Sequence, residues 1–195
     1  MSIIRPQAWV QTIAPEDATG ELAAAYGWQA KSLGEVTEYT QLGSLHPDLV
    51  LLRLQTYKTV EASIQGLTPL EQKLVVYVTS TLNQTTHCAS GAQLGLEALG
   101  ADPAVVAKAV ANPFDAQTGD ERLDAVLHYT AVLAARPGDT TEADIQRLRA
   151  AGLSDGDVVA LNNLVAYYAY TNRVATGLGL RTPIPERHAL KAVPK

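Results

Sequence analysis

Apolar residues recur along most of this chain at spacings of three and four, the period of a helix buried on one face, and no stretch alternates like a strand. A first helical pattern starts near Asp17 to Thr19 and continues through Leu22, Tyr26 and Ala30 to Gly34. A longer one follows His46-Pro47-Asp48 through Leu49, Leu52, Val60 and Ile64, and Gly66 closes it. The best-marked start is Thr68-Pro69-Leu70-Glu71, where a threonine cap, a proline at the first helical position and a glutamate three residues after the cap form a capping box. From there Leu70, Leu74, Tyr77, Val78 and Leu82 share a face that Val75 and Val76 widen, so this helix is expected to be largely buried and to end at Asn83.

A polar joint, Asn83-Gln84-Thr85-Thr86-His87-Cys88, leads into a second helix capped by Thr85 or Thr86 and running past Leu94, Leu96 and Leu99 to a stop at Gly100. Asp102-Pro103 opens a short helix with Val105, Val106, Ala109 and Val110 on one face, and Asn112-Pro113 stops it. After a loop at residues 114–120, Leu123, Val126, Leu127, Thr130 and Leu133 repeat at helical spacing until Arg136-Pro137-Gly138-Asp139. Thr141 with Asp144 caps the next helix, which turns Ile145 and Leu148 inward and ends at Gly152; Ser154 then opens a long helix through Val158, Leu161, Val165 and Tyr168 toward Arg173. The starts Leu67-Thr68-x-x-Glu71 and Leu153-Ser154-x-x-Asp157 match each other, as an internal duplication of a helical unit would make them. The expected fold class is all-α.

Length and composition narrow this picture. At 195 residues, 47% hydrophobic and 18% charged, the chain suits one helical domain over residues 17–181 with a sizeable core. Residues 1–16, with Pro6, Trp9 and Pro15, read as an N-terminal arm, and residues 182–195, with three prolines and Lys191 and Lys195, as an exposed C-terminal tail. A net charge of −5 without basic clusters argues against nucleic acid as a partner. No apolar run reaches membrane-spanning length and the start does not resemble a secretory signal, so no membrane partner and a cytoplasmic location are expected. With a single cysteine, any disulfide must join two molecules.

Chemistry concentrates at the joint. Cys88 falls in the first turn of its helix, where free backbone N–H groups and the helix dipole favour the thiolate, so a lowered thiol pKa is expected. The competing reading is a buried thiol acting as a small hydrophobe. His87 is the one residue of the joint able to move a proton. Glu71 is the nearest acid along the chain, and its place in the capping box also explains it fully. Lys73, in an otherwise apolar helix, either carries its charge to the surface or points at Cys88 and steadies a thiolate. His46, His128 and His188 look ordinary, His128 as a satisfied core residue, and the four histidines are not spaced as a metal site, so neither metal nor cofactor is expected.

Leu67-Thr68-Pro69-Leu70-Glu71-Gln72-Lys73 leading into Asn83-Gln84-Thr85-Thr86-His87-Cys88, and Leu153-Ser154-Asp155-Gly156-Asp157 leading to Tyr170-Thr171-Asn172-Arg173 and Leu178-Gly179-Leu180, resemble the carboxymuconolactone decarboxylase and alkylhydroperoxidase D superfamily, in its peroxidase-related branch. The resemblance implies an alkylhydroperoxidase D-like helical bundle. Active members carry Cys-x-x-Cys, a histidine four residues after the second cysteine, and a glutamate twelve residues before the first. Carried over residue by residue, Cys88 stands at the second, peroxide-attacking cysteine, and His87 at a position that is histidine in some members and often tyrosine in others. Thr85 stands at the first, resolving cysteine, Ala92 at the histidine and Lys73 at the glutamate, so three positions depart from the pattern.

Three functions are therefore weighed. The first is an oxidoreductase with a degenerate site that reduces peroxides through Cys88, assisted by His87 and Glu71, with an external thiol as reductant. The second is a non-catalytic helical oligomer or binding scaffold. The third, by resemblance alone, is decarboxylase-like activity on a small lactone acid. Broad apolar faces and the resemblance both lead to the expectation of a homo-oligomer.

Overall fold

The computed structural model describes residues 8–184. Its helices are α1 (Gly20–Leu33), α2 (Glu38–Gln41), α3 (Pro47–Ser63), α4 (Pro69–Leu82), α5 (Thr86–Ala98), α6 (Pro103–Ala111), α7 (Glu121–Ala135), α8 (Glu142–Ala150) and α9 (Asp155–Gly177). Among the described residues there is no strand. The fold is all-α, as the patterning requires. Each expected helix is present, and the caps read from sequence form: Gly34 and Gly152 take positive φ at the ends of α1 and α8, and Thr68, Thr141 and Ser154 form capping boxes with Glu71, Asp144 and Asp157. The short helix α2, held by the Thr37 hydroxyl accepting from Thr40 N, was not anticipated, nor was the 3-10 turn Pro113–Asp115 at the head of the loop before α7. Both elements are too short to show a helical period.

α4 lies at the centre because its apolar residues surround it. Val75 and Val76 join Val126, Tyr129, Leu161 and Val165 from α7 and α9 in the main core, while Leu74 and Val78 join Leu96, Ala109, Leu123 and Leu127 from α5, α6 and α7. Each such Leu or Val contributes roughly 1.5–3 kcal/mol by leaving water. α1 and α3 bury their own seam, Leu22, Ala25, Tyr26, Val50 and Leu54, and α3 also packs on α9. A cavity lies among α1, α3, α4, α5 and α9.

The matching starts of α4 and α9 are tied together by Arg122 of α7. Its Nε donates to Glu71 Oε1 at 2.9 Å, its Nη1 to Ala151 O at 3.1 Å, and its Nη2 to Gly66 O. Glu71 Oε2 meanwhile accepts from Thr68 N at 2.6 Å. Gly66 faces Asp157 so closely that a Cβ there would lie 2.1 Å from the carboxyl group, so a larger residue would have to displace that carboxylate from its cap. The carboxylate of Glu71, 7% exposed as a residue, is thus occupied by cap and guanidinium.

Both chain ends, so far as described, lie on the body. Trp9 N donates to Leu178 O, Ile13 N to Ser44 Oγ, and the Trp9 ring sits against Gly179, whose φ of 88° and lack of Cβ make room for it. Residues 182–184 do not run free as the expected tail: Ile184 N donates to Ser90 Oγ at 2.8 Å and the Ile184 side chain covers Gly91 of α5. Its apolar side chain and the lack of a Cβ at Gly91 supply the reason. The first part of the expected arm, residues 1–7, and the rest of the expected tail, residues 185–195, lie outside the described residues.

Candidate active site

α4 ends at the Asn83 cap, Gln84 takes φ 54°, a left-handed conformation unusual for a residue with a Cβ, and Thr85 caps α5. This tight reversal is held from α9. Asn172, 1% exposed, accepts from Ser80 Oγ at 3.3 Å, and Thr85 Oγ1 pairs with Thr176 Oγ1 at 3.1 Å. Asn83 Nδ2 donates to Ala134 O, so α4, α7 and α9 all fix the joint. Arg173 takes no part in it and donates to Ala169 O of its own helix.

Cys88 is the third residue of α5 and lines a cavity of about 610 Å³. That volume fits a small organic ligand rather than a water cluster. Of the chain's two tryptophans and eight tyrosines, Trp28, Tyr39, Tyr57, Tyr167 and Tyr168 line it. Tyr167 stacks edge-on against Tyr168, with centroids 5.7 Å apart, and tilted against Tyr57 at 5.9 Å. Charge enters from α3 and α4: Arg53, Lys58, Glu61 and Lys73 are all in the wall. The Tyr57 hydroxyl donates to Glu61 Oε1, and Lys58 Nζ lies 3.6 Å from Glu61 Oε2. The Arg53 Nη2 donates to the carbonyls of Tyr39 and Thr40, and its guanidinium lies 4.2 Å from the Tyr39 ring centroid.

Burial governs the titration here. It pushes the Cys88 thiol up to about 12, the reverse of the lowering expected from its place at a helix start. The physical reason is magnitude: a helix terminus offers an anion about 0.3–1 kcal/mol, at most ~2, whereas stripping a charged group of water costs several kcal/mol. Cys88 is 7% exposed and no cation offsets that cost. Burial likewise raises Tyr167 to about 12 and keeps Tyr39, Tyr57 and Tyr168 protonated. Tyr39, Tyr167 and Tyr168 are the phenols whose electrostatics register Cys88. Lys73 is lowered by burial, with Glu61 opposing.

The structure brings Cys88, His87, Lys73 and Ala92 to one cavity and leaves Glu71 out of it. His87, 4% exposed, donates from Nδ1 to Thr182 O at 2.9 Å, which fixes a proton on that nitrogen. Thr85 turns its hydroxyl to Thr176 and to Asn83 O. Lys73 follows neither path expected of it. It is largely removed from water and does not lower the thiol; its stem runs over Gly95, and Glu61 is the acid whose charge acts on it. The tyrosines, Arg53 and Glu61 were missed. Tyr57 and Glu61 at i and i+4 in an apolar helix were the visible signal, but their convergence with Tyr167 and Tyr168 spans over 100 residues. His128 is a satisfied structural residue, bonded to Phe114 O and Asp144 Oδ1. Among the described residues no group of three or more His, Cys, Asp or Glu is placed to hold a metal ion, and no helix is long and apolar enough to cross a membrane.

No protein-family model matches the chain, and no curated protein matches it. Solved structures do. An uncharacterized peroxidase-related protein from Ralstonia eutropha JMP134, described as an alkylhydroperoxidase AhpD core, aligns with a TM-score of 0.80 at 21% identity over 98% of this chain and 100% of its own. An uncharacterized peroxidase-related protein from Silicibacter sp. TM1040 aligns with a TM-score of 0.72 at 23% identity over 86% of this chain and 87% of its own. A cysteine-to-alanine variant of the debrominase Bmp8, in complex with 2,3,4-tribromopyrrole, aligns with a TM-score of 0.71 at 14% identity over 97% of each chain. The chain has the alkylhydroperoxidase AhpD-core fold.

Proposed function

We propose that this protein is a one-cysteine oxidoreductase that reduces small organic hydroperoxides at Cys88 and is recycled by an external thiol. The observation that carries the reading is the placement of the sole cysteine in the wall of a ligand-sized cavity, with Thr85 where a resolving cysteine would stand. Cys88 Sγ attacks the distal peroxide oxygen; the S–O bond forms as the O–O bond breaks, the thiol proton ends on the departing alkoxide, and the products are a sulfenic acid and an alcohol. An external thiol then attacks the sulfenic sulfur, releasing water and leaving a mixed disulfide, and a second thiol restores Cys88. His87 is the proton-transfer group that the fold brings to this wall, and Glu61, rather than Glu71, is its inner carboxylate. Because burial holds the thiol protonated, turnover at neutral pH is slow and rises with pH.

The aromatic lining, together with the likeness to a debrominase holding a bromopyrrole, favours a second reading: attack by Cys88 on an aryl bromine, in which the C–Br bond breaks as S–Br forms, the ring carbon takes the thiol proton, and external thiol displaces bromide from the sulfenyl bromide to give a mixed disulfide. One experiment separates the readings. Cumene hydroperoxide and a bromophenol are each offered with glutathione to the parent and to Cys88→Ser, while alcohol, bromide, glutathione disulfide and the Cys88 adduct are followed. Alcohol formation with a trapped Cys88 sulfenic acid, lost in Cys88→Ser by at least about 100-fold, supports the hydroperoxide reading. Bromide release alone moves the function to dehalogenation. Neither product leaves a binding scaffold.

A further inference from the structure

The cavity wall carries three cations, Arg53, Lys58 and Lys73, and four carboxylates, Glu16, Glu35, Glu38 and Glu61, yet two of the cations form no ion pair among the described residues. Lys73 has no ion pair within 4 Å and no hydrogen bond among the described residues. The nearest acid that influences it, Glu61, is already engaged by the Tyr57 hydroxyl and by Lys58. Arg53, 7% exposed, likewise has no carboxylate partner among the described residues; its Nη2 is spent on two backbone carbonyls, and its Nε is buried without a hydrogen-bond partner. The remaining acids of the lining, Glu16, Glu35 and Glu38, come from the turn before α1, the α1–α2 connection and the first residue of α2, and among the described residues no ion pair joins them to Lys73 of α4.

These cations are not there for the thiol, because burial alone sets Cys88 and neither cation opposes it. Nor has Lys73 arrived by accident of packing. Gly95, inside α5, leaves its stem a channel: a Cβ at Gly95 would stand 3.1 Å from Lys73 Cδ and 3.2 Å from Cε, closer than side chains ordinarily pack. A lysine over a helical glycine, in the wall of a cavity lined by five aromatic rings, makes a site with an unpaired cation and several flat walls. Rings recognise rings through offset and edge contacts worth about 0.5–1.5 kcal/mol beyond area. A buried ammonium without an ion pair gains most from an anion brought to it.

We propose that this cavity binds a planar aromatic anion, its ring held among Trp28, Tyr39, Tyr57, Tyr167 and Tyr168 and its carboxylate or phenolate held by Lys73. The proposal deepens the reading of Cys88 as a nucleophile by naming the substrate class, and it depends on that reading only for the reacting atom. Gly95 is a positioning residue for Lys73, and Arg53 is a second cation of the same wall.

The test measures equilibrium binding by calorimetry on full-length Cys88→Ser, which has no thiol, so that a failure of thiol chemistry leaves the result standing. Three probes are compared: 2-naphthoate, 2-naphthalenemethanol and decanoate. Expected is 2-naphthoate tightest, ahead of the isosteric alcohol by about tenfold or more, the yield of one charge-assisted contact, with decanoate weaker than the naphthoate. Adding Lys73→Met removes the preference for acid over alcohol, Lys73→Arg keeps most of it, and Gly95→Ala weakens it. Equal binding of naphthoate and its alcohol to the parent overturns the role of the anion, whatever the variants do. Decanoate binding as tightly as naphthoate overturns the role of the ring. Absence of binding by all three probes at millimolar concentration overturns the site itself.

Discussion

The two ends of the α4–α5 hairpin use the same kinds of side chain to opposite purposes. At the N-terminal end of α4, the carboxylate of Glu71 accepts from Thr68 N and from Arg122, and the guanidinium spreads its remaining donors over the carbonyls of Gly66 and Ala151. Every charge there has a partner. In the cavity that the hairpin helps to enclose, Lys73 has no ion pair within 4 Å and Arg53 Nε is buried with no hydrogen-bond partner among the described residues. Since buried polar groups are otherwise nearly always satisfied, the first end is a fastening and the second is where a substrate would be met. Glu71 and Lys73 are two residues apart in sequence and fall on these two sides.

The largest effect that can break this contrast is on the thiol. If the Cys88 environment is set by burial, the rate of alkylation by iodoacetamide should climb about tenfold per pH unit from pH 8 to 11 with no plateau near 9, since only the thiolate reacts and its folded pKa is about 12. The linkage has a definite sign: a thiol whose pKa is raised in the fold keeps its proton while the unfolded chain loses it, so stability is full below about 9 and declines as pH rises toward 12. Denaturant midpoints across that range check it, with Cys88→Ser as the control that should not show this part of the decline. A plateau in alkylation at pH 7 would restore the helix-start reading.

At the opposite end, removal of the fastening should cost stability and spare the cavity. Arg122→Ala strands the Glu71 carboxylate and two carbonyls, which should cost about 2 kcal/mol, less than breaking a fully buried pair because the Arg122 side chain is 32% exposed. Binding of 2-naphthoate per folded molecule should be unchanged, as read by urea midpoint and by titration. A loss of binding equal to the loss of stability would mean that Arg122 also shapes the cavity.

How far the two ends could be read from sequence follows from the range of their contacts. Caps, stops and buried faces depend on residues three or four apart, so all the longer helices, and the box at Thr68 and Glu71, were legible. Arg122 was not, because its three acceptors come from segments up to 56 residues away. For the candidate site, Cys88 and His87 were legible from the joint and the resemblance, yet the direction of the thiol shift was not. A helix start is a local feature, whereas burial at Cys88 depends on α9 and on residues near 40, brought in by the fold. Lys73 had two directions open in the sequence and takes neither, its stem lying over Gly95, twenty-two positions on.

A smaller effect concerns the outer face of the cavity wall. Leu49 and Leu52 of α3 and Val159 and Tyr170 of α9 are exposed, beside a groove that reaches Arg53 and Tyr167. As a proposal, a second copy of the chain covers this face, as the broad apolar patterning led one to expect. Leu52→Glu should lower the sedimentation mass at micromolar concentration, and a parent that is monomeric at that concentration rejects the proposal.

The smallest expected change is Thr85→Cys, although it restores the most familiar part of the family pattern. The substitution removes the Thr85–Thr176 hydroxyl pair, worth about 1 kcal/mol. It leaves Cys88 buried, with no base added and Lys73 still a cation that cannot accept a proton. Peroxide turnover with a dithiol reductant should therefore change by no more than about threefold, because groups that act as a unit do not repay restoration one at a time. Ala92 lies in the same wall, 3% exposed, so Ala92→His places an imidazole at the cavity, and Lys73→Glu exchanges the cation for a second carboxylate beside Glu61. Together with Thr85→Cys they should form an internal disulfide, verified by mass, and raise dithiol-dependent turnover well above each single variant. The same triple variant should lose its preference for 2-naphthoate over the alcohol, since its anion partner is gone. A triple variant that gains peroxidase turnover and keeps that preference would show that Lys73 is not what holds the anion.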